Sequence, residues 1–412
     1  MKNIIKISFR NLARSGRRTA LTASLITVGV IFVLVYAALS GSFKSYMVGQ
    51  ITDSMMGHIQ IHKKGYVESI DNLPLDKNLN QKQLGSITKL LDENPYVQSY
   101  TFRLKLGAMF SNYISSTSIR LNAIEPLKET STLPLFASRI NGEDPSLLKE
   151  GMLIVPDILA KGMSVGIGDT VVLVATNEKG SVNGLNFKVS ATLASISGPG
   201  GRDGYIHIND AKKLLRLSDT QISEIVIRLR NVDDLQKALK LLEPLKLIKN
   251  QNDKPVFEIH SWEKLSPFYN IVKMLDMMDI SIKIILISIV LISVLNVMVM
   301  SVYERIKEIG TIAAMGTTPS TITKLFLTEG LMLGVFGTAI GTLLSYIIVF
   351  IINSVGITFS FGREEGLLLT PVLNGGEVIF VVLIVIVISL IASISPARKA
   401  AKLNPVDALR QN

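Results

Sequence analysis

The chain has 412 residues, of which 48% are hydrophobic and only 18% charged, and its mean hydropathy of +0.39 is too high for an ordinary soluble protein of that length. The formal net charge of +10 invites a nucleic-acid partner. Much of that excess, however, sits at the flanks of apolar runs, where it reads as membrane-surface charge and nucleic-acid binding is set aside. With no cysteine, the chain has no disulfide and no thiolate chemistry, and any large domain must be held by a packed core. The absence of cysteine does not identify a compartment.

Residues 1–18 carry Lys2, Lys6, Arg10, Arg14, Arg17 and Arg18 and no acid, while Ile4, Ile5, Phe9 and Leu12 fall near one helical face. This predicts a short interfacial helix on the inner leaflet; a plain basic flank is the alternative. A signal peptide competes, since small residues occur at Ala37 and Ala38. The uncharged run over 19–43 is too long for its apolar region and favours a retained span.

No charged residue lies between Arg18 and Lys44, Lys283 and Glu304, Glu329 and Arg363, or Glu377 and Arg398. Each gap holds the roughly 20 residues that a helix rising ~1.5 Å per residue needs to cross a ~30 Å hydrocarbon core. Four transmembrane helices follow, over 19–43, 284–303, 330–356 and 378–397. The third gap exceeds one span, so its helix tilts, protrudes or ends near Asn353 to Gly356. The Lys and Arg count places both termini (1–18 and 398–412) and the 304–329 loop in the cytoplasm. Residues 44–283 and the short loop 357–377 are then extracytoplasmic.

Phe43, Met47, Ile51 and Met55, spaced by four, continue the first span outward as an amphipathic stalk, and 271–283 show a similar mixture before the second. Between them the pattern is α+β. HIQIH at 58–62 predicts a strand with solvated histidines, and Lys82 to Asn94 a helix ending at Pro95. Phe102 to Phe110 and Ser116 to Ile124 predict a hairpin around 111–113. Strand, short helix, tight turn and strand follow over 151–175. Strands at 187–196, 205–208 and 222–229, with helices at 211–215 and 232–242, complete the domain.

The chain holds no G-x-x-x-x-G-K-[ST], so ATP hydrolysis by this chain is not expected. Gly198-Pro-Gly-Gly-Arg-Asp-Gly204 lacks the lysine and helix of a phosphate loop and reads as a turn. His58 and His62 lack the glutamate of H-E-x-x-H, and on a strand lie roughly 13 Å apart, so no metal site is expected. No G-x-S-x-G suggests a hydrolase, and the spans hold no Asp, Glu, Lys, Arg or His for intramembrane catalysis. What remains is the charged, glycine-punctuated stretch Glu304 to Gly316. A short helix there, presenting Ile309, Ile312 and Met315 beside Glu304, Arg305, Lys307 and Glu308, is suited to docking in a partner's groove, with a solvated loop as the alternative. Gly330/Gly334 and Gly337/Gly341 are small-xxx-small pairs that allow close helix packing. Met47, Met55, Met56, Met274, Met277, Met278, Met298 and Met300 cluster near the stalks and spans and are candidates for an adaptable lipid seam; packing is the plainer role.

The segment ERIKEIGTIAAMGTTPSTITKLFLTEG resembles the E-R-x-x-E-I-G-x-x-x-A-x-G and E-G hallmark of MacB/FtsX/LolC-type ABC permeases. The closing ISPARKAAKLNPVDALR and opening KISFRNLARSGRRTALT resemble the same family's end motifs, and the layout of four spans with a large first external loop is similar. The resemblance implies an integral membrane α-helical protein with a MacB-like periplasmic α+β domain, in the inner membrane. It implies that Glu304, Arg305, Glu308, Ile309, Gly310, Ala314 and Gly316 contact an ATPase, with two ATPase subunits holding ATP and Mg and none bound here. It also implies a second permease copy or paralogue, and mechanical work done outside the membrane. GHIQIHKKGY at 57–66 is most similar to the lipoprotein-releasing branch, which implies lipoprotein extraction and delivery to a periplasmic carrier. Efflux of peptides or amphiphiles of the MacB kind, and activation of a cell-wall hydrolase of the FtsX kind, are the alternatives.

Overall fold

The computed structural model describes residues 2–14, 16–194, 203–250, 253–361 and 364–403, so the glycine-rich turn around 198–202 and the end of the closing motif, from Asn404 on, lie outside the described residues. The chain divides into a membrane unit, residues 1–45 and 271–412, and an α+β unit, residues 46–270.

In chain order, α1 (Lys2–Arg14) and α2 (Gly16–Ile51) are followed by a π-helical turn, Thr52–Met56, and by β1 (Ile59–Lys63) and α3 (Gln81–Asp92). Asn80 caps α3 by accepting from the Gln83 N–H while the Gln83 side chain accepts from the Asn80 N–H. That reciprocal pair satisfies two donors the first helical turn would otherwise leave open. Then come β2 (Val97–Ser111), β3 (Ser116–Ile124), α4 (Pro126–Thr132), β4 (Ile140–Gly142), β5 (Met152–Pro156), α5 (Asp157–Gly162), β6 (Thr170–Thr176) and β7 (Val182–Leu193). After the gap lie β8 (Asp203–His207), α6 (Ile208–Leu215), β9 (Glu224–Leu229), α7 (Leu235–Leu242), α8 (Pro244–Leu247), β10 (Phe257–Ser261) and α9 (Trp262–Leu265).

These strands form one mixed sheet in the order β10-β1-β9-β2-β3-β8-β5-β7-β4, with β6 pairing both β2 and β7. The 15-residue β2 organises it. Its first half pairs with β9 up to Arg103–Glu224, and its second half pairs with β3 and, from Met109, with β6. Leu104, Leu106, Ala108 and Phe110 alternate along β2, so all four face one core, completed by Leu121, Leu173, Phe187 and Leu214. Each of those larger side chains contributes on the order of 1.5–3 kcal/mol by leaving water.

The histidine reading needs correction. His58 and His62 are both buried, not solvated. Alternation in HIQIH signals one polar face, but β1 is a central strand between β9 and β10, and that face is covered. His62 stacks on Tyr66 with ring centroids 5.2 Å apart, and His58 Nδ1 accepts from the Leu229 N–H at 2.9 Å. On β2, across β9 from β1, Arg103 is enclosed by carboxylates. It donates to Glu129 Oε1 at 2.8 and 2.5 Å and to Glu224 Oε1 at 3.0 Å, while Lys105 lies 2.8 Å from Glu224 Oε2. Burial alone would raise the Glu224 pKa, yet Lys105, His62 and Arg103 hold it well below the usual carboxylate range.

The membrane unit contains α1 and most of α2, and continues with α10 (Tyr269–Glu304), α11 (Ile306–Ala314), α12 (Pro319–Val355) and α13 (Gly375–Ala401). A short hairpin, β11 (Thr358–Phe361) and β12 (Glu364–Leu368), joins the last two. Among the described residues four helices are long and apolar enough to cross a membrane: α2, α10, α12 and α13. Each outruns its charge-free stretch, because helical hydrogen bonding does not stop where the hydrocarbon ends. Thus α12 starts at Pro319 inside the expected 304–329 loop, and α10 takes in 271–283.

Every fourth residue of α10, from Val290 through Val294 and Met298 to Val302, meets Ile26, Val30 and Leu34 of α2 and residues of α12 and α13 in a common core. Glycines allow the approach. A Cβ at Gly330 would lie 2.7 Å from Ser393 Cβ, and one at Gly334 2.9 Å from Ser389 Cβ, both on α13. At Gly337 and Gly341 it would meet Ile26 Cγ2 and Val30 Cβ of α2 at 2.6 and 2.8 Å. The two glycine pairs therefore serve two different neighbours.

Candidate functional site

The site is built around α11. Its start is a break: Arg305, with φ −110° and ψ 19°, is the single residue between α10 and α11. Its end is Gly316, whose φ of +90° lies in the left-handed region that a side chain would strain. Pro319 then opens α12, where its missing N–H costs nothing.

Within α11 the predicted residues separate by burial. Ile309 and Gly310 are buried, so they pack the helix against its own unit, and the expectation that Ile309 is presented outward is corrected. The 3.6-residue period forces this. Ile306 and Ile309 share the inward face, leaving Lys307, Glu308, Thr311 and Ala314 outside. Glu304, Met315 and Gly316 are also exposed, while Ile312 is half-buried.

Arg305 turns inward. Its Nη1 donates to Glu329 Oε1 on α12 at 2.9 Å and its Nε to Glu308 Oε2 at 3.1 Å, with the guanidinium 5.7 Å from the ring centre of buried Phe326. Burial works to lower its pKa, but the Glu329 and Glu308 carboxylates outweigh that and raise it above the ordinary arginine value. Asn11 of α1 donates to the same Glu329 oxygen at 2.9 Å, Ser8 donates to the Leu325 carbonyl at 3.3 Å, and Arg14 lies 3.6 Å from Glu308. In the sequence Glu329 stands out only as the last charge before the third apolar run. Its pairing was hidden because Arg305 lies 24 positions away.

Residues 19–245 match the MacB-like periplasmic core domain and residues 280–405 match the FtsX-like permease C-terminal model. The chain belongs to the FtsX-like ABC permeases with a MacB-like periplasmic core domain. Among its relatives, the lipoprotein-releasing system transmembrane protein LolC of Haemophilus influenzae is 23% identical, covering 96% of this chain and 94% of that one. The macrolide export ATP-binding/permease protein MacB of Haemophilus ducreyi is 26% identical and covers 98% of this chain but 55% of its own. ABC transporter permease YtrF of Bacillus subtilis is 34% identical over 27% of each chain. The periplasmic region of MacB from Actinobacillus actinomycetemcomitans aligns with a TM-score of 0.35 and 14% identity, over 52% of this chain and 92% of that one.

The methionines of this permease differ in burial. Met47, Met55 and Met56 belong to the MacB-like unit, and Met47 is buried. Met298 is enclosed with Val294 and Val302 in the helix core, so neither buried methionine lines an open seam. Met274, Met277, Met278 and Met300 are exposed on α10. At the other end of the permease's helices, Lys44 pairs with Asp276 at 2.6 Å, and Lys283 pairs with Asp279 at 2.8 Å and with Glu377 at the start of α13. Among the described residues no cluster of His, Asp and Glu is placed to hold a metal ion.

Proposed function

We propose that this permease lies in the inner membrane with both termini cytoplasmic and extracts lipoproteins for delivery to a periplasmic carrier, driven by ATP and Mg held in two separate ATPase subunits. A second permease, a copy or a paralogue, completes the assembly. The observation that carries the lipoprotein reading is the likeness to LolC, which runs the length of both chains, whereas the MacB relative extends well beyond what this chain covers. The Lys and Arg balance supports the orientation, since residues 1–18 hold six basic side chains named above and no acid.

The docking surface for the ATPase is the exposed side of α11. Met315, 73% exposed, and half-buried Ile312 supply an apolar contact flanked by Glu304, Lys307 and Glu308. That mixture suits a helix seated in a groove. The charge-free stretches of the spans offer no polar path for a hydrophilic solute, which favours work done by the MacB-like domain and the outer leaflet. Photo-crosslinking in cells from exposed positions of the MacB-like domain and of α10, such as Tyr113 and Met277, tests the substrate. Acylated lipoproteins trapped during ATP turnover are the expected result. Amphiphilic export substrates, or a cell-wall hydrolase bound without any lipoprotein, would overturn it.

A further inference from the structure

The joint at Arg305 does more than end a span. Three elements converge on one carboxylate: the break between α10 and α11 through Arg305, the amphipathic α1 through Asn11, and α12, which carries Glu329 itself. Glu329 is 3% exposed and Arg305 16% exposed, so the pair is screened from water on most sides. A buried pair of this kind holds its geometry, because freeing either partner leaves a charge without compensation. The same guanidinium reaches Glu308 in the first turn of α11, which also lies near Arg14 of α1. Arg305 thereby has one hand on α12 and the other on the helix that follows it.

The backbone explains why such a clamp is needed. Arg305 has non-helical φ and ψ between two helices, so a load on α11 would be absorbed by bending there unless the residue were anchored. At the break its N–H donates to the Val302 carbonyl at 3.2 Å, and the Ile309 N–H returns to the Arg305 carbonyl at 2.9 Å. The side chain supplies the missing stiffness sideways, into α12 rather than along α10.

We propose that Arg305, Glu329 and Asn11 are positioning residues that lock α11, α12 and α1 into one body, so that displacement of α11 is delivered to α12 and α1 rather than taken up at the α10–α11 break. This goes beyond the docking reading: Arg305 transmits the load and does not contact the ATPase.

The chain contains no cysteine, so spin labels can be placed at Lys307→Cys on α11 and Lys324→Cys on α12 in the full-length permease without background. In lipid nanodiscs the parent pair should give one narrow distance distribution. Glu329→Gln, which keeps the shape and removes the charge, should at least double its width, and Asn11→Ala should broaden it less. The exchange Arg305→Glu with Glu329→Arg should restore the narrow distribution relative to either reversal alone. An unchanged width in Glu329→Gln, or an exchange as broad as the single reversals, overturns the proposal. If the reversals do not fold, Glu329→Gln and Asn11→Ala decide it alone. In parallel, the ATPase that co-purifies with the full chain should remain bound to Glu329→Gln but lose most of its stimulation by the permease, at least fivefold. Loss of ATPase binding in that variant would also overturn the proposal. Absence of any ATPase from the unaltered permease would instead refute the docking reading, and the distance widths would still decide this one.

Discussion

Arg103 and Arg305 are both arginines held between two carboxylates, yet they sit in different kinds of structure. Arg103 lies 2% exposed inside the MacB-like domain, and both its partners, Glu129 and Glu224, are fully buried. Arg305 has one buried partner, Glu329, and one, Glu308, that is 47% exposed on a surface helix. The first arrangement connects interior to interior and can only hold the sheet together. The second connects interior to surface.

The largest effect is expected where the contrast is sharpest. Arg103→Ala leaves Glu129 and Glu224 without their shared cation and should destabilise the MacB-like domain by about 3–5 kcal/mol, read as a lowered unfolding midpoint of that domain. Arg305→Ala should leave that same midpoint unchanged, since its partners all lie in the membrane unit. A shared drop would mean the two arginines serve one purpose.

Acid should divide the two regions in the same way. Burial pushes the His58 imidazole down to about 4 from 6.5, against the attraction of Asp53, so the unfolded chain binds its proton more readily than the domain does. The stability His58 contributes is therefore complete above pH 6.5, declines as pH falls towards 4, and is gone below it. The loss is on the order of 3 kcal/mol over that window. Burial shifts His260 in the same direction. Glu224, held low by its cations, adds a loss only at more acid pH. Unfolding midpoints of the MacB-like domain between pH 7 and 4 should show this slope, and His58→Asn should flatten it.

A smaller effect is expected from helix contacts. Gly330→Val drives a side chain into Ser393 and should cost about 1–3 kcal/mol, seen as early loss of monodisperse protein on heating. Gly41→Ala, inside α2 where a Cβ meets nothing within 4 Å, should act in the opposite direction and raise stability by about 0.5–1 kcal/mol.

Much of the fold was legible because its signals are local. Charge-free runs marked the four long helices, Gly330 to Gly341 marked where they approach, and the alternation of Leu104 to Phe110 marked β2. What stayed hidden depends on partners distant in sequence. The burial of His62 follows from Tyr66, Glu224 and His260, and β10, which carries His260, is a five-residue segment, FEIHS, too short to carry a strand signal of its own. At the candidate site, Glu304 to Gly316 stood out by composition and family pattern. Neither signal could separate Arg305, turned in to Glu329, from Met315, turned out. That distinction exists only once α12 is placed beside the α10–α11 break.

The measurement closest to the central claim is photo-crosslinking from Met315 in membranes containing the full permease, compared with crosslinking from Arg305. A P-loop ATPase should be captured from Met315 and not from Arg305. Equal capture from both positions, or lipid adducts alone from Met315, would contradict the account of α11 as the docking surface and Arg305 as its anchor.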